Sequence, residues 1–231
     1  MGKEIVPVAR FRSPFPDKFG IPRQAGVVPG LKGEIVFEKG FRDPEAIRGI
    51  MDFDYLWLVW GFSANEPSKT FQATVRPPRL GGNERVGVFA SRSPFRPNGL
   101  GLSSVRLAGV RYDRKDSDGT PLGPVLEVLG ADLMDGTPVY DIKPYVEYAD
   151  SHPGAGSGFV DKVAWKPLEV VVPDELGSVD IDWKTLREVL AQDPRPRCQN
   201  DPERIYGMRF DAYDVRFRVN DGRIFVVGLE K

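Results

Sequence analysis

The first 150 residues run in stretches of four to eight rich in Val, Ile, Phe and Tyr, cut again and again by Gly and Pro. Stretches that short leave little room for amphipathic helices, and β-branched and aromatic side chains suit a pleated surface, so the pattern predicts a β-barrel or sandwich. Expected strands lie at residues 5–12, 32–37, 55–62, 72–75, 85–89, 101–112, 125–131 and 138–142. Alternation is clearest at 103–112, where Val105, Leu107 and Gly109 would share one face. Asp43-Pro44-Glu45-Ala46-Ile47 predicts a short helix through about Met51, with Asp43 as N-cap and Pro44 at the first helical position.

Beyond this part the pattern changes. Residues 113–124 carry a polar turn signal, Lys115 to Thr120, between two apolar runs, and predict a mobile hairpin loop. His152-Pro153-Gly154-Ala155-Gly156-Ser157-Gly158 cannot sit in a helix or a central strand and reads as a connector. The expected division is a barrel domain at 1–152 and a smaller α+β domain at 153–231. In the second part, Trp183, Leu186, Val189 and Leu190 form a helical stripe within 182–192, which Asp193-Pro194 ends. Residues 213–229 read as a hairpin turning at Asn220-Asp221-Gly222. The fold class is therefore mainly β, with a minor α+β part.

Composition removes several function classes. A hydrophobic share of 41% with 28% charged residues is ordinary for a globular protein. The N-terminus lacks the apolar core of about 7–15 residues that a secretion signal needs, and no segment nears the roughly 20 apolar residues of a membrane span. A cytoplasmic location and no membrane partner are expected. With one cysteine, Cys198, and one histidine, His152, the chain can form neither an internal disulfide nor a Cys/His zinc site, and no metal is expected.

Net charge is −1, yet Arg76, Arg79, Arg85, Arg92, Arg96 and Arg106 face only Glu84 in their stretch. Arginine presents a planar fork of donors, so this block suits phosphate or carboxylate, or else a solvated face. Its prolines fix the backbone while its glycines permit close approach, as in a ligand loop or a pair of rigid turns. Gly99-Leu100-Gly101-Leu102-Ser103-Ser104 imitates a dinucleotide-binding fingerprint but precedes strand formers instead of a helix, which argues against a Rossmann site. His152 near Asp150 and Ser151 lacks a nucleophile elbow, and Cys198 between Arg197 and Gln199 reads as a bystander more readily than as a reactive thiol. The run Leu129 to Pro138 ends a strand with Gly freedom and carboxylates that could receive a ribose hydroxyl or an ammonium group, although Asp135-Gly136 also reads as a plain turn.

Four blocks, in order along the chain, carry a family resemblance. They are Phe19-Gly20-Ile21-Pro22-Arg23-Gln24, the stretch from Arg76 to Asn98, Asp135-Gly136-Thr137-Pro138 with Asp141-Ile142-Lys143-Pro144-Tyr145, and Gln192-Asp193-Pro194-Arg195-Pro196. Together they resemble the TsaA-like family of the bacterial TrmO type. The resemblance implies a small β-barrel, non-Rossmann methyltransferase using S-adenosylmethionine, assembled as a homodimer, acting on N6 of threonylcarbamoyladenosine 37 in the anticodon loop of tRNA. It implies cofactor contacts at Gln24, Ala25, Gly26, Phe62, Ser63, Arg92, Leu102, Leu129, Gly130, Ala131 and Asp132. The family's familiar histidine is replaced by Ser63. Chemically, Arg92 suits the cofactor's carboxylate and Asp132 its ammonium or ribose. The proton lost from N6 could pass to Asp132 or to the substrate's own carboxylate. Arg79, Arg96, Arg195 and Arg197 are the candidates for phosphate contact, and Tyr145 for stacking on a base. The alternatives are a methyltransferase with another small or RNA substrate, and a non-catalytic RNA-binding barrel.

Overall fold

A computed structural model describes residues 2, 4–65, 70–77, 80, 84–163, 165–195 and 201–231. Arg79, Arg197 and Cys198 lie outside the described residues. Six strands, β1 (Ala9–Arg12), β2 (Lys32–Phe37), β3 (Tyr55–Gly61), β6 (Leu100–Arg111), β7 (Val125–Leu129) and β8 (Pro138–Pro144), close into an antiparallel barrel in the order β1-β2-β7-β6-β3-β8. Two further short strands, β4 (Thr74–Val75) and β5 (Val86–Gly87), pair with each other outside it. Inward side chains alternate along each barrel strand, and Phe11, Ile35, Leu56, Leu58, Val105, Leu126, Val128 and Val139 make the core.

The registers put the ends of β1, β3 and β7 and the starts of β2, β6 and β8 at one mouth of the barrel. There Gly101 packs so tightly under the Trp60 ring that a Cβ would overlap it.

Several expectations change: the strands expected at 72–75 and 85–89 shrink to Thr74–Val75 and Val86–Gly87, and that at 125–131 ends at Leu129. Strand β6 carries a bulge between Leu107 and Gly109, so the inward face passes from Leu107 to Val110, and Gly109 does not share it. The predicted helix after Asp43 is instead two 3-10 turns, Pro44–Ile47 and Ile50–Asp52, because Gly49 between them adopts φ 81. Asp43 does cap the first turn, its carboxylate accepting from the Glu45 N–H at 2.9 Å. The first strand starts at Ala9, four residues later than expected.

In the C-terminal part, β9 (Glu169–Val171), β10 (Tyr206–Phe210), β11 (Tyr213–Asn220) and β12 (Arg223–Glu230) form a sheet in the order β10-β11-β12-β9, covered by α2 (Trp183–Ala191). A one-turn helix, α1 (Glu147–Asp150), precedes the connector. The turn from β11 to β12 has Asp221 at φ 47 and Gly222 at φ 73, the two positive angles a tight hairpin of this hand requires. This second core does not belong to the C-terminal part alone. Phe15, Val28 and Leu31, from the segment joining β1 to β2, are buried in it beside Leu186, Met208 and Phe210.

Candidate functional site at the barrel mouth

Residues far apart in sequence converge where β7 runs out. Gly130, at φ 78, turns the chain there. The Gly26 N–H donates to the Gly130 carbonyl and the Gly130 N–H to that of Leu31, both at 2.8 Å. A Cβ on Gly130 would stand 3.5 Å from Gly26, so the two backbones meet face to face. This strap sets Gln24, Ala25 and Gly26 over Ala131 and Asp132.

Asp132 is the chemical centre of the mouth. Trp60 Nε1 donates to Ser103 Oγ at 3.0 Å, and Ser103 Oγ lies 2.5 Å from Asp132 Oδ1. An indole N–H can only donate, so the Ser103 oxygen accepts it and its own single proton points to Asp132. Burial pushes the Asp132 carboxyl above the usual carboxylate range; the Ser103 hydroxyl, the backbone N–H groups of Asp132 and Ala25, and the Arg92 charge pull the other way. The net result is a carboxylate held in one orientation and made more basic than an exposed aspartate.

Arg92 is exposed, and its guanidinium donates to the Gln24 side-chain oxygen, while the Gln24 amide nitrogen donates to the Arg23 carbonyl. Phe62 packs edge-on against Trp60 with ring centroids 4.4 Å apart, and its N–H donates to the Gly99 carbonyl at 2.9 Å. Leu102 is 59% exposed on the outer face of β6, and Leu129 ends β7 opposite Lys32. Ser63 lies exposed in the turn after β3. The predicted cofactor residues Gln24, Ala25, Gly26, Phe62, Arg92, Gly130, Ala131 and Asp132 thus belong to one mouth.

Of the predicted RNA contacts, Tyr145, Arg96 and Arg195 lie among the described residues, and each already has partners within the chain. Tyr145 lies at the opposite mouth, its N–H bonded to the Tyr55 carbonyl and its ring 5.9 Å from that of Trp57. Arg96 turns inward to its own loop, donating to the carbonyls of Ser91 at 2.7 Å and Val88 at 3.3 Å. Arg195 is paired with Asp193, Nε to Oδ1 at 2.8 Å, and is itself largely covered. Asp135 takes the plain-turn role, accepting from the Ser13 N–H at 3.0 Å, while Gly136 adopts φ 74. Asp150 accepts from Trp57 Nε1 and the Val146 N–H, so the Asp150-Ser151-His152 run serves to close a turn. Residues 100–104 lie in a strand, which removes the dinucleotide fingerprint.

Sequence reasoning missed Ser103 and Trp60. A signal was present: Ser103 sits on the face of the alternating run that also carries Val105 and Leu107, and a polar residue in an inward position asks for a partner.

The comparisons with known proteins cover both parts of the chain. Residues 10–151 match the model of the tRNA-methyltransferase O N-terminal domain, and residues 175–231 that of the TrmO C-terminal domain. The chain belongs to the TrmO family. The tRNA (adenine(37)-N6)-methyltransferase of Escherichia coli K12 is 39% identical over 229 residues, covering 95% of this chain and 94% of that protein. A putative S-adenosylmethionine-dependent methyltransferase of Pseudomonas aeruginosa is 38% identical over 226 residues, covering 94% and 93%. The crystal structure of TrmO from Pseudomonas aeruginosa superposes with a TM-score of 0.76 at 30% identity, covering 100% of this chain and 99% of the other. The barrel and the C-terminal sheet together therefore follow the TrmO architecture. Among the described residues no group of His, Cys, Asp or Glu could hold a metal ion, and no helix is long and apolar enough to cross a membrane.

Proposed function

We propose that this chain transfers the methyl group of S-adenosylmethionine to N6 of adenosine 37 in tRNA, and that its substrate is the threonylcarbamoylated form of that adenosine. The observation that carries the reading is the covered, hydroxyl-oriented Asp132 carboxylate beside the Arg92–Gln24 pair, in a chain that matches the family along nearly its whole length.

The mouth fits the cofactor on its own chemistry. It offers an exposed guanidinium for a carboxylate, and glycine backbone at Gly26, where an added Cβ would meet nothing within 4 Å. When bound, S-adenosylmethionine supplies an electrophilic methyl group whose bonding electrons leave with its sulfur. The chain's residues do the rest. Arg92, held by Gln24, binds and orients the anionic end. Ser103 and the Ala25 N–H hold Asp132 in place, and Asp132 accepts the proton that N6 loses as its bond to the methyl carbon forms. In-line transfer gains mainly from positioning, so a rigid mouth serves it well. Ser63, standing where the family's histidine is familiar, has no imidazole to contribute, which leaves the proton to a carboxylate.

Recognition of the anticodon loop, assembly as a homodimer, the division of labour between 1–152 and 153–231, and a cytoplasmic setting among tRNA belong to the same proposal. The exposed Phe71, Phe89, Phe95 and Leu102 near the arginine block support a partner surface beside the mouth. Transfer of labelled methyl to total tRNA, from cells with and without the threonylcarbamoyl group, tests the substrate. Label confined to the modified tRNA and reduced in Arg92→Ala is expected. Equal label on both pools would reject the threonylcarbamoyl substrate, and no transfer to either would reject the enzyme.

A further inference from the structure

Segment 13–31 leaves the barrel at β1, carries Gln24, Ala25 and Gly26, and returns at β2. On one side it is tied to the barrel mouth, through Ser13 to Asp135 and through Gly26 and Leu31 to Gly130. On its other side it is built into the C-terminal core. The Asp211 N–H donates to the Pro14 carbonyl at 2.7 Å. The Phe15 ring meets Phe210 edge-on with centroids 5.4 Å apart. Gly20, at φ 92, lies so close to the Met208 thioether that a Cβ there would overlap it. Gly30 approaches Thr185 of α2, where an added Cβ would stand 3.4 Å from Oγ1.

A segment without regular secondary structure has little rigidity of its own; it takes its position from what packs on it. We infer that the β10–β11 end of the C-terminal sheet, with Met208, Phe210 and Asp211, is the buttress of the cofactor segment, and that Met208 is a positioning residue for cofactor binding that acts through Gly20 on Gln24 to Gly26. The inference rests on the assignment of the barrel mouth as the cofactor site. It gives the C-terminal part a role in the methyl-donor half of the reaction, independent of any role toward tRNA. The arrangement is also economical in physical terms: a glycine with no side chain lets the thioether lie directly on the backbone, and Met fills such irregular gaps well.

The test is direct binding of S-adenosylmethionine to the full chain by titration calorimetry, well below the unfolding temperature, for four proteins. Met208→Ala opens the space against Gly20. Ile224→Ala removes a comparable fully buried side chain from the same core, at the hairpin end of the sheet where Ile224 pairs with Val219 and Val170. Arg92→Ala reports on the site itself, and the unmodified chain is the reference. Met208→Ala is expected to weaken binding on the order of fivefold, within the range by which remote packing changes alter coupling between sites. Ile224→Ala is expected to lower the melting temperature similarly and leave binding unchanged. Equal affinities for Met208→Ala and the unmodified chain, or equal weakening in Met208→Ala and Ile224→Ala, would overturn the inference while weak binding by Arg92→Ala kept the site. Unchanged binding by Arg92→Ala would reject the site assignment and the buttress with it.

Discussion

The two mouths of the barrel hold nearly the same three parts and use them differently. Strand β3 supplies a tryptophan to each, Trp57 at one and Trp60 at the other, and each indole leads to an aspartate. At the Tyr145 mouth the Val146 N–H and Trp57 Nε1 donate straight to Asp150, at 2.8 and 2.9 Å, and these two bonds hold the carboxyl below the usual carboxylate range. At the other mouth Ser103 stands between Trp60 and Asp132, and burial drives the carboxyl upward. Direct donors hold the first carboxyl low, whereas desolvation raises the second despite its hydroxyl partner. The difference lies in desolvation, since both residues have hydrogen-bond donors.

Exchanging the two carboxylates one at a time is the strongest way to break this contrast. Asp132→Asn should lower methyl transfer to tRNA by about 10²- to 10⁴-fold, the usual contribution of a positioned acid or base. Its melting temperature should hold or rise, because the variant no longer covers a charge. A variant that keeps near-full activity would remove Asp132 from the chemistry.

Ser103→Ala sharpens the same point. It deletes the bond that holds the Asp132 carboxyl down, so the acid limb of the pH–rate profile should move to higher pH, activity being lost as pH falls through the raised value. It also leaves the buried Trp60 N–H without an acceptor, at a cost of about 1–3 kcal/mol in denaturant unfolding. An unmoved acid limb would show that Ser103 serves Trp60 alone. Gly101→Ala tests the packing beneath this relay. An added methyl overlaps the Trp60 ring, and overpacking of this kind costs about 1–3 kcal/mol. Unfolding at the parent's denaturant midpoint would mean that the ring can move aside.

The smallest effect belongs to Asp150→Asn. Methyl transfer measured at saturating tRNA and cofactor should stay near the parent's value. The native chain, whose Asp150 carboxyl is held low, should have an increment of stability above the ordinary aspartate range that disappears as pH falls through the lowered value; the variant should lack that pH dependence. Loss of catalysis in Asp150→Asn would erase the distinction between the two mouths.

Local signals carried much of this architecture. The alternation at 213–219 with Asp221-Gly222, the stripe Trp183, Leu186, Val189, Leu190 behind Asp182, and most barrel strands were legible because each depends on spacing within one element. The failures were non-local. Gly109 leaves its expected face because a bulge opposite β7 shifts the phase, and β9 is visible only once β12 is there to pair with it in parallel. For Tyr145 and Arg96, proposed as RNA contacts by residue type, the structure adds placement alone: Tyr145 lies at the mouth opposite Asp132, and Arg96 donates to its own loop. Of the candidate site, Gln24, Arg92 and Asp132 were proposed through family resemblance; the Trp60–Ser103 bond was not foreseen, since nothing local ties a strand tryptophan to a serine 43 residues away.

By itself, then, the sequence determined the strand periods, the turn positions, the N-cap at Asp43 and the family, because these follow from side-chain spacing, backbone freedom and shared blocks of residues. Tertiary structure alone decided which aspartate is covered, which tryptophan reaches it through a hydroxyl, and that segment 13–31 enters the C-terminal core. Those outcomes depend on closing the barrel and docking the second sheet on it, and burial, unlike propensity, exists only after distant parts of the chain have met.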